Sequence, residues 1–186
     1  MQQYWNLLQD IPWGLFFFIA ACLIAGYFVY SKKKVLEKSI AYDIIFVFLL
    51  IYSLAIVFCS IFPITYGASG LEIQQILSHN FKPFSGIADA MAKGNFGYLA
   101  FNLTALLLLP IFLNLLRLKK LNWGKLVFIC FLAACGMELL QVLVNVLSHF
   151  HNHVIDIDSI ILRTIGGAIG AVIASCKFVK ENHFHK

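Results

Sequence analysis

The sequence predicts an all-α, polytopic integral membrane protein: a bundle of five transmembrane helices with the N-terminus outside and the C-terminus inside. Three observations carry this. Of 186 residues, 61% are hydrophobic and only 12% charged, where a soluble domain has about 45–50% apolar and about 25% charged residues. Five apolar stretches are each long enough to cross the roughly 30 Å hydrocarbon core as helix. The basic residues fall unevenly between alternate loops, as the positive-inside rule requires. The same composition excludes a soluble globular domain, a disordered chain and a coiled coil.

The first span, residues 11–30, carries no charge. Its Ile19-Ala20-Ala21-Cys22 looks like a lipoprotein processing box. Asp10 rather than a basic residue precedes it, however, and the apolar run continues to Tyr30, so a retained helix is expected. The second span, 44–64, is uncharged and ends near Pro63. The third, 95–116, contains Pro110, which frees a backbone carbonyl and kinks a helix. The fourth, 126–148, holds a single charge, Glu138, and the fifth, 159–176, holds Arg163. No linker, repeat or low-complexity tract divides the chain, which reads as one membrane domain over 1–186.

The basic residues set the orientation. Lys32, Lys33, Lys34 and Lys38 follow the first span. Arg117, Lys119, Lys120 and Lys125 follow the third, and Lys177, Lys180 and Lys186 form the tail. These are eleven of the 14 Lys and Arg, and the positive-inside bias puts them in the cytoplasm. The net charge of +5 is thus a topology signal rather than a nucleic-acid signal. Trp5, Trp13 and Trp123 suit the membrane interfaces. Cys22, Cys59, Cys130, Cys135 and Cys176 all lie in apolar segments and read as small buried residues.

Segment 66–93 is long for a connection. Leu71, Ile73, Ile76 and Leu77 suggest one face of an interfacial helix, and Phe81, Phe84, Ile87 and Met91 a second element dipping into the outer leaflet. An ordinary connector is the alternative.

In hydrocarbon the costly residues are the informative ones. A central charge costs about 2.5–3.5 kcal/mol on insertion scales, so Glu138 and Arg163 are expected to face protein. Glu138, Gln141 and Asn145 share one face of the fourth helix. Arg163 shares a face of the fifth with Gly166, Gly167, Gly170 and Ala174, small residues that permit close backbone approach. Depth along the two helices permits an antiparallel hairpin in which Glu138, Gln141 and Arg163 interact. The ion pair either locks the helices together or marks a site. Asp156, Asp158 and Ser159 read as helix caps or as site residues. Asn102 and Thr104, above Pro110, read as packing or as the wall of a polar cavity. His149, His151 and His153 alternate, but H-x-H-x-H matches no compact helical ligand pattern. His183 and His185 form too short a pattern to assign. Neither a metal nor a cofactor is expected.

Several of these residues form a pattern that resembles the VanZ-like family of small bacterial membrane proteins. Asn80-Phe81-Lys82-Pro83-Phe84 is similar to an N-L-x-P-F element ahead of a membrane helix. Residues 102–112, NLTALLLLPIF, resemble an Asn-rich helix ending in F-x-P-x-G. Glu138 and Gln141 followed by DIDSIILRTIGGAIG resemble E-x-x-Q, then R-x-F-D-I-D-D-x-x-x-N-T-x-G-G-x-x-G. The likeness covers about 80–174 and places Glu138, Gln141, Asp156, Asp158, Thr164, Gly166, Gly167 and Gly170 on family positions. The chain departs from the pattern at His153 (Arg in the family), Ser159 (Asp), Arg163 (Asn), Thr104 (Asn) and Phe112 (Gly). By this resemblance it looks like a divergent member, with a cation in the last helix in place of the one in the loop.

The resemblance implies a cell-envelope role in the bacterial cytoplasmic membrane, tied to teicoplanin-type glycopeptide susceptibility and antibiotic resistance. Two classes of function follow. One is a binding protein whose outer polar pocket holds a glycopeptide or a lipid-linked peptidoglycan-precursor headgroup, with Asn80, Lys82, Asn102, Gln141, Asn145, His153 and Arg163 as binding candidates. Lys82, Arg163 and the histidines would meet its phosphates. The other is a small intramembrane enzyme acting on a lipid headgroup, with Glu138, Asp156 and Asp158 as catalytic candidates. Membrane lipids are partners in both.

Overall fold

The computed structural model describes residues 12–33, 40–62, 64, 79–116, 121–149 and 152–176. Its elements in chain order are α1 (Trp13–Lys33), α2 (Ile40–Ile61), β1 (His79–Asn80), α3 (Ser85–Ala92), α4 (Phe96–Thr104), α5 (Leu109–Leu115), α6 (Trp123–Ser148), β2 (Ile155–Asp156) and α7 (Ile157–Ser175). Five helical stretches are long and apolar enough to span a membrane: Trp13–Ser31, Ile40–Ile61, Phe96–Leu115, Trp123–Ser148 and Ile157–Ser175. The all-helical class and the five membrane-spanning stretches expected from the sequence are observed. Trp5, Leu71, Ile73, Ile76, Leu77, His151, His183 and His185 lie outside the described residues. So do Lys34, Lys38, Arg117, Lys119, Lys120, Lys177, Lys180 and Lys186.

The third span is two helices. Residues 105–108 leave the helical path between α4 and α5, with Pro110 in the first turn of α5. Proline supplies no N–H and crowds the preceding turn. The Tyr52 hydroxyl on α2 serves both sides of the gap, donating to the Ala105 carbonyl (2.6 Å) and accepting from Leu108 N–H (3.3 Å). Such neighbours make a broken helix tolerable in lipid, where water is not there to satisfy the backbone.

Helix α7 is the centre of the bundle. Of its span 44% is buried inside the protein, against 11% for α1. Two adjacent stripes of small residues, rather than one face, explain this. Arg163, Gly166 and Gly170 face α4 and the break: a Cβ on Gly166 would stand 1.7 Å from the Leu103 carbonyl oxygen, and one on Gly170 would stand 1.9 Å from that of Leu107. Gly167 faces α6, where a Cβ would lie 2.5 Å from that of Cys130. Further along the same side, Ala171 and Ala174 pack with Leu126. Tight approach of this kind replaces the hydrophobic drive that lipid does not provide. Helix α1 lies against α2 through Phe16 and Phe58, whose rings meet edge-on at 5.4 Å, and through a Tyr27–Asp43 hydrogen bond.

At one end of the bundle β1 and β2 form a parallel bridge, with His79 opposite Ile155 and Asn80 opposite Asp156. This bridge brings segment 79–92 across the ends of α6 and α7. Of the residues expected in the outer leaflet, Phe81, Phe84 and Met91 are exposed and Ile87 is partly covered. At the opposite end the buried Asn114 accepts from Leu121 N–H at 3.1 Å, holding the α5–α6 connection.

Gly166→Ala and Gly170→Ala are expected to destabilise the bundle by about 1–3 kcal/mol each, the usual cost of overpacking. Gly26→Ala, which meets nothing within 4 Å, is the neutral control. Thermal unfolding in detergent measures both.

Candidate functional site

The polar site is built where α6 ends and α7 begins. Helix α6 runs past the residues it must bury, presenting Glu138, Gln141 and Asn145 inward; their exposures are 4%, 8% and 0%. Asn145 turns the chain. Its Oδ1 accepts from Asn152 N–H (3.1 Å) and His153 N–H (3.0 Å), and its Nδ2 donates to the His153 carbonyl (2.6 Å). The returning strand then reaches Asp156, whose backbone N–H donates to Glu138 Oε2 at 3.0 Å.

Glu138 Oε1 accepts from Arg163 Nη1 at 2.8 Å, and both side chains are almost wholly enclosed. Arg163 Nε donates to Asn102 Oδ1 (2.8 Å), and Asn102 Nδ2 donates to the Tyr98 carbonyl (3.0 Å). One guanidinium thus ties α6, α7 and α4 together. A charge-assisted pair of this kind is held by geometry and by the hydrogen bonds that satisfy its remaining lone pairs and protons.

The two aspartates divide the work of capping. Asp156 is the N-cap of α7, accepting from Asp158 N–H at 3.0 Å. The same carboxylate accepts from Tyr98 Oη (2.5 Å) and Asn80 Nδ2 (3.3 Å). Asp158, also in the first turn of α7, caps a different helix. It accepts from the backbone N–H groups of Phe84 (2.6 Å), Gly86 (2.7 Å) and Ile87 (3.1 Å) at the start of α3. Phe84 adopts a left-handed conformation, φ 67°, to aim its N–H there. Gly86 is needed for space, since a Cβ would come within 2.8 Å of Asp156 Oδ2 and 3.1 Å of Asp158 Oδ2. The negative charge at a helix N-terminus is favourable. Among the described residues the Ser159 hydroxyl makes no capping bond; it lies 3.3 Å from Tyr98 Oη.

The arrangement sorts the residues expected from the sequence. Glu138, Arg163, Asn102, Asp156, Asp158 and Asn80 converge on one network. Gln141 does not join the Glu138–Arg163 pair. It reaches the other way and donates to the Ser60 carbonyl of α2 at 2.9 Å, because its position one turn along rotates it off the α7 face. His153 likewise turns to α2, with Nε2 2.8 Å from the Ile61 carbonyl. Lys82 is exposed and contributes its carbonyl to Ser85. Thr104 is exposed and bonds back to the Ala100 carbonyl, and Thr164 bonds back to Ile160, so neither lines a polar cavity with Asn102. Phosphate contact through Arg163 is disfavoured by this geometry: Nε and Nη1 are engaged, and the side chain is 2% exposed.

Tyr98, Ser85 and Gly86 belong to the site without having been singled out from the sequence. Tyr98 carries a signal: it lies four residues before Asn102, on the same face of α4. Ser85, which donates to Asn80 Oδ1 at 2.8 Å, and Gly86 gave none, because the Asn80 that Ser85 holds and the Gly86 N–H meet aspartates more than 70 residues away.

Replacing Arg163 by Leu leaves Glu138 charged and unpaired, with an expected loss of about 3–5 kcal/mol; the Glu138→Leu/Arg163→Leu pair is expected to recover most of it. Chemical unfolding of the two variants in micelles measures the difference.

Two comparisons return nothing: no curated protein and no solved structure matches the chain significantly. A family model does. The model described as VanZ/LLP1 covers residues 46–179, well over half of the sequence. It reaches back from the 80–174 region into α2, the helix that receives Gln141 and His153. With that match spanning the polar network and four of the five membrane-spanning stretches, the chain belongs to the VanZ-like family of membrane proteins.

Proposed function

We propose that the protein is a non-enzymatic binding protein of the bacterial cytoplasmic membrane, with its N-terminus outside and its acidic network in the outer leaflet. Its ligand is a glycopeptide or the headgroup of a lipid-linked wall precursor, and its presence alters glycopeptide susceptibility. The observation that carries this reading is the charge balance of the network: it links three carboxylates, Glu138, Asp156 and Asp158, but holds one guanidinium, which pairs with Glu138. Such a site favours hydrogen-bond donors over anions. Amines, amide N–H groups and sugar hydroxyls are common to glycopeptides and to wall-precursor headgroups. Segment 79–92 would admit them, since it crosses the carboxylates and presents exposed Phe81, Lys82 and Phe84.

A specific observation favours a second reading. Tyr98 Oη stands between Asp156 and the Ser159 hydroxyl, an arrangement that can carry a proton. Asp156 and Tyr98 would then be the acid–base pair of an intramembrane enzyme. Glu138 and Asp158 suit that role less. Glu138 is tied to the Arg163 guanidinium, and three backbone N–H groups hold Asp158.

Asp156→Asn keeps the shape and removes the charge. Expressed at matched membrane levels in a glycopeptide-susceptible Gram-positive host, it is expected to lose the susceptibility change that wild type confers, with the envelope lipid profile identical in both strains. A lipid species made by wild type and lost in Asp156→Asn favours the enzyme instead. A wild type that shifts neither susceptibility nor lipids overturns both. Separate titration of the purified protein with glycopeptide and with lipid-linked precursor tells the two ligands apart.

A further inference from the structure

Away from the acidic network, a cleft of about 360 Å³ opens between α2, α6 and the unwound turn before α5. Its volume is within the roughly 300–1,000 Å³ typical of small-molecule sites. Ile56, Val57, Leu106, Met137 and Leu140 line it, with the exposed Gly136 at its edge. No charged residue lines it. The cleft is made by membrane-spanning helices, so the medium beside it is hydrocarbon.

Its walls continue to a polar end. On α2, Ser53, Ile56, Val57 and Ser60 recur at steps of three and four, so they share a face. On α6, Ala133, Met137, Leu140 and Gln141 do the same. Gln141 and Ser60 meet where Gln141 donates to the Ser60 carbonyl. The Ser60 hydroxyl is buried and, among the described residues, has no hydrogen-bond partner. A helical serine normally bonds back to the preceding turn, and a buried hydroxyl left unpaired is costly. That hydroxyl lies one turn beyond the cleft's lining residues and is covered, so an acceptor reaches it only when its neighbours shift.

We propose that the cleft holds one acyl chain of a membrane glycerophospholipid, with the chain's ester carbonyl accepting a hydrogen bond from Ser60. The inference stands apart from the headgroup reading. Met137 and Leu140 line the cleft, whereas Glu138 turns away toward α7.

Gly136 supplies the test, because a Cβ there meets nothing within 4 Å. Gly136→Leu adds a side chain at the cleft's edge, with room for its Cβ. The full-length protein is placed in nanodiscs of phosphatidylglycerol bearing a diazirine on one acyl chain, irradiated, and its adducts mapped by mass spectrometry. Adducts are expected on residues 53–60 of α2 and 133–140 of α6. Gly136→Leu, with unchanged thermal stability, is expected to remove most of them, because its side chain takes the space the acyl chain would occupy. Gly26→Leu, equally open but on α1, is expected to leave them unchanged. Ser60→Ala is expected to lower the cleft adducts; unchanged adducts overturn the hydroxyl's assignment. Equal cleft labelling in Gly136→Leu and wild type, or labelling spread evenly over exposed Phe17, Phe18 and Leu139, overturns the proposal. Protein–protein cross-links through the cleft in place of lipid adducts would show a second copy as its occupant and also overturn it.

Discussion

A carboxylate and a guanidinium cannot remain separate in hydrocarbon, and the pairing of Glu138 with Arg163 orders much of what surrounds it. To meet at 2.8 Å, α6 and α7 must run antiparallel at fixed depth. To satisfy the second carboxylate oxygen, the chain returning from α6 must place the Asp156 N–H beside it. To satisfy Nε of the guanidinium, α4 must bring Asn102 within reach. Three helices and one loop thus take their positions from a single buried charge and its partner. Removing either partner is far more damaging than removing both, as in other buried pairs.

The glycines of α7 make this geometry attainable. Arg163, Gly166 and Gly170 lie on one stripe, so the helix that carries the cation also offers the flat surface on which the α4–α5 backbone rests. Cation and contact surface come from the same few turns. The break between α4 and α5 belongs to the same arrangement. The Leu107 carbonyl approaches Gly170 within that break, while Tyr52 from α2 bridges its ends. Packing and hydrogen bonding therefore reinforce each other on opposite sides of the kinked span.

Much of the fold was legible in the sequence, because membrane-spanning segments announce themselves by length and apolarity. The Glu138–Arg163 contact was legible too, since both charges are expensive and lie at compatible depths. Gln141 was not placed correctly. Helical spacing put it on the same broad face as Glu138, but a face spans two neighbours, and Gln141 reached α2 instead. Asp158 reads from the sequence as a cap of its own helix or as a site residue, and it caps α3. That contact needs the parallel bridge between residues 79–80 and 155–156, which no local pattern encodes. Tyr98 escaped notice for the opposite reason: it lies on a visible face, but an aromatic in an apolar helix looks like packing until its hydroxyl partner is known.

The separations of these partners along the chain also bear on biogenesis. Translation and insertion proceed from the N-terminus, so Glu138 reaches the membrane ahead of Arg163, 25 residues later. Until then α6 carries an unmatched acid. The connection from Ser148 to Ile157 is short, which lets the last two helices enter as one hairpin with the charges already facing. Asn80 waits longer still, for an aspartate 76 residues downstream. The acidic network therefore comes into being only at the final insertion step, and a chain that stops before α7 carries most of the site's residues without ever forming the site.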